Sequence, residues 1–158
     1  MTARLRPFAP ADAETVAGWA GSAEEVWQWC SRTSVSAEVV AGWAAAPGTA
    51  AYGLVEEDGE LVGYGELWID PDESEVELAR LAVAPARRGR GVGRRLVAAL
   101  TDQALGHSPT VFLRVHPDNT VALRSYAGAG FTPVTPAEAE EWNRGQPTRY
   151  VWLRRTPS

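Results

Sequence analysis

The sequence predicts an α+β protein, a central mixed β-sheet flanked by helices on both faces. Three observations predict it. Two apolar-rich runs, 50–57 and 60–69, meet at Asp58-Gly59, the dipeptide that two-residue hairpins favour. A third run, 74–84, is stopped by Pro85, and helical spacing of Leu96, Val97 and Leu100 follows closely. Beyond it, an apolar run, a helical pattern and two further apolar runs alternate to the end of the chain.

Taken in order, residues 4–7 read as a first strand. Pro10 and Asp12 open an amphipathic helix carrying Val16, Trp19 and Ala20. Ser22 and Glu25 have capping-box spacing, which predicts a second helix through Trp27, Trp29 and Cys30. A third helix over 36–46 places Val39, Val40 and Trp43 together and closes at Pro47-Gly48. The hairpin follows, and 70–73 turn the chain into the central strand 74–84. A long helix starts near Gly91 or Val92 and ends near Gly106, and a strand covers 110–115. Asn119 starts a helix through Tyr126 that Gly128 and Gly130 end; strand 131–134, a turn or short helix at 136–142, and strand 148–154 complete the chain. No repeat, low-complexity segment or linker divides it, so one domain is expected over 1–158.

Composition narrows the function. The chain has 158 residues and a net charge of −5, which disfavours a general nucleic-acid binder. Cys30 is the one cysteine, so neither a disulfide framework nor a cysteine metal site is expected, and no metal is called for. The first residues do not read as a signal peptide, and no apolar run approaches a membrane span of about 18 residues. The expected location is the cytoplasm, away from membranes.

Against this acidic background, residues 87–95 hold five arginines (Arg87, Arg88, Arg90, Arg94, Arg95) interleaved with Gly89, Gly91 and Gly93. Glycines at a helix start let a ligand approach bare N–H groups, and the helix dipole favours an anion there. Arginines add donors matched to phosphate oxygens. The simplest physical reading is a pyrophosphate site. A P-loop would need a Gly-Lys-Ser/Thr ending, and the chain contains no lysine. A dinucleotide fingerprint would need Gly-x-Gly-x-x-Gly with a following acidic residue, which the spacing here does not supply.

The spacing present is Arg88-x-x-Gly91-x-Gly93, preceded by Leu81-Ala82-Val83-Ala84-Pro85. It resembles the acyl-CoA signature of the GNAT superfamily of N-acetyltransferases. A second hallmark of that family is similar to the run 116–131: Asn119, Tyr126 seven residues later, then Gly130-Phe131. The two motifs together cover roughly residues 50–155, with the N-terminal third matching only in its order of elements. The resemblance implies the GNAT-like acyl-CoA N-acyltransferase fold and direct transfer of an acetyl group from acetyl-CoA to a primary amine. The alternative is a non-catalytic module that binds or senses acyl-CoA.

The resemblance also implies roles. Leu81, Ala82 and Val83 would pair with the pantetheine arm, with the Val83 N–H facing the thioester oxygen or the arm. Arg88, Gly89, Arg90, Gly91, Val92, Gly93 and Arg94 would hold the pyrophosphate. Asn119 would bond the arm, cap its helix, or both. Tyr126 would be the acid that protonates the departing thiolate; a phenol titrating near pH 10 keeps its proton at neutral pH. Its structural alternative is an aromatic packing its helix onto the sheet. Glu77 stands where several family members carry a catalytic glutamate. By the period of two it shares a face with Glu75, Ala79 and Leu81. Glu66 on the neighbouring strand is a second candidate base, and pairing with Arg80 or Arg114 is the structural alternative for both. His116 offers a proton relay or a loop residue before Pro117. The acceptor pocket of this fold lies in its helical N-terminal part. There Trp19, Trp27, Trp29 and Trp43 would wall an amine with an apolar or cationic body, or simply fill the core. The expected partner is a small-molecule or peptide amine. A homodimer, common in the family, could use an exposed strand 148–154.

Overall fold

The computed structural model describes residues 3–156. Its seven strands form one sheet in the order β1-β2-β3-β4-β5-β7-β6: β1 Ala3–Pro7, β2 Thr49–Glu56, β3 Leu61–Asp70, β4 Glu75–Val83, β5 Val111–Val115, β6 Thr132–Pro133 and β7 Val151–Arg155. All pairings are antiparallel except β4 with β5. Six helices cover both faces: α1 Ala13–Ala17, α2 Ala23–Cys30, α3 Ala37–Ala44, α4 Val92–Leu105, α5 Thr120–Gly128 and α6 Pro136–Trp142.

Local chemistry sets the boundaries. Gly59 turns the β2–β3 hairpin at φ 85°, and its N–H donates to the Glu56 carbonyl at 2.9 Å. The Oγ of Ser22 accepts from Glu25 N at 3.1 Å, so α2 starts as its spacing predicts; the Glu25 carboxylate reaches back to Gly21 N at 2.9 Å. Ser36 caps α3 in the same manner.

The larger core lies between the sheet and α4 with α5, built on Leu54, Leu67, Leu78, Leu96, Leu100 and Leu113. Helix α4 can lie that close because β3 carries Gly65, where an added Cβ would meet Leu100 Cδ1 at 2.4 Å. On the opposite face α1 and α3 enclose Val16, Trp19, Val40 and Tyr64. A small third cluster joins α6 to Tyr150 and Trp152.

Four expectations change. Helix α1 ends at Ala17, because Trp19 N already bonds Val16 O in a tightened last turn; Trp19 is buried from the turn beyond. β6 contracts to two residues, its Pro133 having no N–H to extend the ladder. β7 starts at Val151 because the Asn143 side chain takes both backbone groups of Tyr150, at 3.0 Å each. Finally, β7 lies between β5 and β6, so it is not the exposed strand through which a dimer was expected.

Candidate active site

The sheet parts between β4 and β5. These strands pair only over Val76–Leu78 and Val111–Leu113. Beyond that point β4 follows β3, while β5 follows β7. The cause lies at Arg80, which sits at φ 51° where β4 carries one more residue than β3 between the Glu66–Ala79 and Tyr64–Ala82 pairs. Such a bulge bends and twists its strand. It also breaks the period of two: Leu81 and Val83 pack with α4, whereas Ala82 faces the α1–α3 side. Leu81 therefore does not share a face with Glu77 and Ala79, as strict alternation predicted.

The parting opens a cleft of about 540 Å³. Its walls include Leu81, Ala82 and Val83 from β4, Leu96 from α4, and Asn119 and Tyr126 from α5. Ala84 N bonds Val62 O at 2.9 Å, so β3 is engaged at Ala84, and the alternation of an antiparallel pair turns the Val83 amide toward the cleft. The strand leads through a 3₁₀ turn, Pro85–Arg87, into Gly89 and Gly91 at φ 77° and 79°, and then into α4. No side chain caps the α4 N-terminus. A Cβ at Gly89 would meet nothing within 4 Å, so space in front of these amides is open.

The arginines divide by role. Arg87 pairs with Glu56 at 3.1 Å and with Glu60, on the hairpin. Arg88 spans the cleft mouth: its Nε donates to Val83 O at 3.2 Å, an Nη donates to Trp19 O at 3.2 Å, and Glu25 lies 3.5 Å away. Arg90 and Arg94 are exposed and form no ion pair among the described residues. Val92 has its side chain buried in the core and can offer an anion only its backbone. The uncapped amides at the start of α4 thus stand beside two exposed arginines, Arg90 and Arg94, and Gly93 of that turn lines the cleft.

Across the cleft, the Asn119 Oδ1 accepts from Ala122 N at 3.2 Å, so Asn119 caps α5. Tyr126, about two turns further along α5, lines the same cleft. Phe131 N donates to Tyr126 O at 3.1 Å and the two rings meet edge to face, centroids 6.5 Å apart. Gly130 makes that return possible at φ 93°. Burial pushes the Tyr126 phenol up to about 12. It therefore holds its proton through the neutral range.

The other half of the cleft is made of side chains held by one another. Glu66 is fully buried and accepts from Tyr64 Oη (2.5 Å), Trp68 Nε1 (2.9 Å) and Arg80 Nη1 (3.0 Å). Burial first, then the adjacent Glu66, drives the Tyr64 phenol far up. Glu77 accepts two bonds from Arg114, at 2.6 and 2.9 Å, and Arg114 also donates to Gln146. Both candidate bases thus stand in the ion pairs that were their structural alternative. The guanidinium of Arg80 lies 4.2 Å from the Trp43 ring and 4.9 Å from Trp68, and that of Arg114 lies 4.4 Å from Trp152. Trp43 and Trp68 are therefore already faced by the chain's own cation, and Trp19, Trp29 and Trp43 pack in the core.

Ser31, Tyr150 and Gln146 were not singled out from the sequence, and Arg80 was named only as an ion-pair partner. Nothing local marks Ser31 or Tyr150; Arg80 carried a faint signal, a charge within an apolar strand run.

A mixed sheet thus parts beside an uncapped helix N-terminus, and a protonated phenol lines the same cleft. The profile of the acetyltransferase (GNAT) family matches residues 11–131, and the chain belongs to that family. Its likeness to a mycothiol acetyltransferase of Jonesia denitrificans is 40% identity over 81 residues, 51% of this chain and 26% of that protein. With the N-alpha-acetyltransferase RimI of Mycobacterium tuberculosis it shares 43% identity over 79 residues, 48% of each chain. The chain thus spans about a quarter to a half of these relatives' length. Among solved structures, the aminoglycoside acetyltransferase AAC(6')-Ib in complex with coenzyme A and kanamycin superposes with a TM-score of 0.75 at 19% identity, covering 98% of this chain and 95% of that one. The spermidine N-acetyltransferase of Vibrio cholerae in complex with CoA and spermine does so with 0.75 at 16%, covering 96% and 92%. Those two likenesses concern the fold. No helix among the described residues is long and apolar enough to cross a membrane.

Proposed function

We propose that the protein is a cytoplasmic N-acetyltransferase that moves an acetyl group from acetyl-CoA directly to a primary amine on a small molecule or peptide. One observation carries this reading. The Val83 amide, the bare N-terminus of α4 and the Tyr126 side chain border one parted cleft. Acetyl-CoA supplies the acyl thioester. The amides of Gly91 to Arg94, with Arg90 and Arg94, hold its pyrophosphate by dipole and charge. Leu81, Ala82 and Val83 present β-strand backbone to the pantetheine arm, and Arg88 and Asn119 border that path. In this reading the Val83 N–H donates to the thioester oxygen, where negative charge develops during attack. Tyr126 gives its proton to the departing thiolate; a phenol that titrates high is an acid that never reaches the site deprotonated.

Glu77 was the first candidate base. Its two oxygens are engaged by Arg114, and we assign it the positioning of that arginine over Tyr150 and Trp152. Relatives named for aminoglycosides, spermidine and mycothiol support an amine acceptor of varied body.

A thiol-release assay with acetyl-CoA and a panel of peptide N-termini, polyamines and aminoglycosides tests the reading. Acceptor-dependent release that Tyr126→Phe suppresses is expected. Tight acetyl-CoA binding without release for any amine would favour the acyl-CoA sensor instead.

A further inference from the structure

Neither carboxylate near the acceptor side is free to take the proton that an ammonium must lose before attack. We infer that Tyr150, Ser31 and His116 form the route for that proton, a relay running from the cleft to the imidazole. The inference rests on the acetyltransferase reading and extends it.

Three separate elements bring the groups together. Ser31 follows the last residue of α2, His116 follows β5, and Tyr150 precedes β7; all three line the cleft. Ser31 Oγ lies 3.1 Å from His116 Nε2 and within hydrogen-bond contact of the Tyr150 hydroxyl. The backbone at Ser31 is left-handed, φ 57° and ψ 38°, a position that glycine fills at less strain. A serine there is strained where glycine would not be, and it brings a hydroxyl that glycine lacks.

The direction of the chain follows from its far end. The Trp27 backbone lies on the far side of the imidazole and favours its protonated form. The relay calls for the tautomer with its proton on Nδ1, so that Nε2 presents its lone pair to Ser31. Ser31 then donates to His116 and accepts from Tyr150, which leaves the phenol oxygen to accept from the cleft.

Burial lowers the affinity of His116 for a proton below the ordinary value, so the ring is neutral and ready to accept. Asp118 and the Trp27 backbone act the other way. The remaining charges facing this corner are neutralised in pairs, Arg114 with Glu77 and Arg80 with Glu66, and burial keeps the Cys30 thiol protonated.

The proton count closes. An N–H bond of the acceptor ammonium breaks and its electron pair stays on nitrogen. The proton joins the Tyr150 oxygen as the phenol proton passes to Ser31 and the serine proton to Nε2. Tyr150 and Ser31 end as they began, and the imidazolium returns its proton to solvent.

Two readouts on the full chain test the relay. The first is ¹⁵N NMR of the imidazoles in wild type at pH 7.5; a bare Nε2 with protonated Nδ1 on His116 is expected, and an Nε2–H tautomer would overturn the relay. The second is kcat/KM for the acceptor against pH in wild type, Ser31→Gly and His116→Gln. Ser31→Gly suits the left-handed backbone, so its fold is kept while the hydroxyl is lost. Both variants should lose roughly 100-fold near pH 7. The loss should shrink as pH approaches about 10, where free amine is abundant without help. Acetyl-CoA affinity should be unchanged. A loss equal at every pH, or none, would mean that the three residues only brace the cleft. Absence of acetyl-CoA binding to wild type would remove the acetyltransferase reading, whereas the tautomer would still report on the relay.

Discussion

The two halves of the cleft are built on different principles. On the half proposed to hold the cofactor, β4, the turn after it and α4 present backbone: a diverted strand, three glycines and an uncapped helix end. On the half proposed for the acceptor, Arg80, Arg114, Glu66, Glu77 and the surrounding aromatic rings present side chains already satisfied by one another. A backbone site is set by local chain geometry and survives many side-chain changes. A side-chain site depends on partners far apart in sequence, and loss of one leaves another exposed to an unmet charge.

That difference predicts a gradation of effects. The largest belongs to Tyr126, the one side chain on the cofactor half assigned to chemistry. Tyr126→Phe should lower kcat about 100-fold while changing the acetyl-CoA KM by less than about twofold. A comparable rise in KM would show that the phenol binds rather than reacts.

Next comes the acceptor half. Glu77→Ala leaves the Arg114 guanidinium, 23% exposed, without its carboxylate. It should destabilise the fold by about 2 kcal/mol, roughly 6 °C in Tm. A thermal melt unchanged from wild type would remove the claim that this half is mutually braced.

Arg94→Ala should be milder. An exposed arginine at a helix-bound anion contributes about 1 kcal/mol, so acetyl-CoA affinity should fall roughly fivefold at low salt. The difference from wild type should fade at high ionic strength.

The smallest effect lies at Glu138, which tethers α6 to β7 through Arg154 at 2.8 and 2.9 Å. Bonds from Arg154 and from Thr135 N hold its carboxyl down at about 2, against an ordinary 4.5. A depressed carboxylate stabilises the fold above its unfolded value and loses that contribution as pH falls from 4.5 toward 2. Acid unfolding of Glu138→Gln, followed by circular dichroism, should lack that limb. An identical acid profile would show that the tether carries no linkage.

The same contrast explains what could be read from the sequence. Gly89, Gly91, Gly93, Pro85 and the Asn119–Phe131 spacing act through their own backbone or near neighbours, so their places in the fold were legible. The β2–β3 hairpin and α4 were legible for the same reason. The bulge at Arg80 was not, because a left-handed arginine leaves no signature, and the period of two misplaced Leu81 by one face. His116 and Tyr150 lie 85 and 119 residues from Ser31 along the chain. No local spacing could have joined them. Glu77 could be placed at the site, but its engagement by Arg114 depended on the register of β4 against β5.

The most direct test of the backbone cradle is calorimetric titration of acetyl-CoA into wild type and Gly93→Glu. A Cβ at Gly93 makes only an ordinary 3.7 Å contact with Val83 Cγ2, and a carboxylate in the first turn of α4 favours the helix. The same carboxylate would oppose a pyrophosphate. The cradle predicts micromolar binding to wild type and none to Gly93→Glu, with a melting temperature equal or higher. Equal affinity in both proteins, or no affinity in wild type, would contradict it.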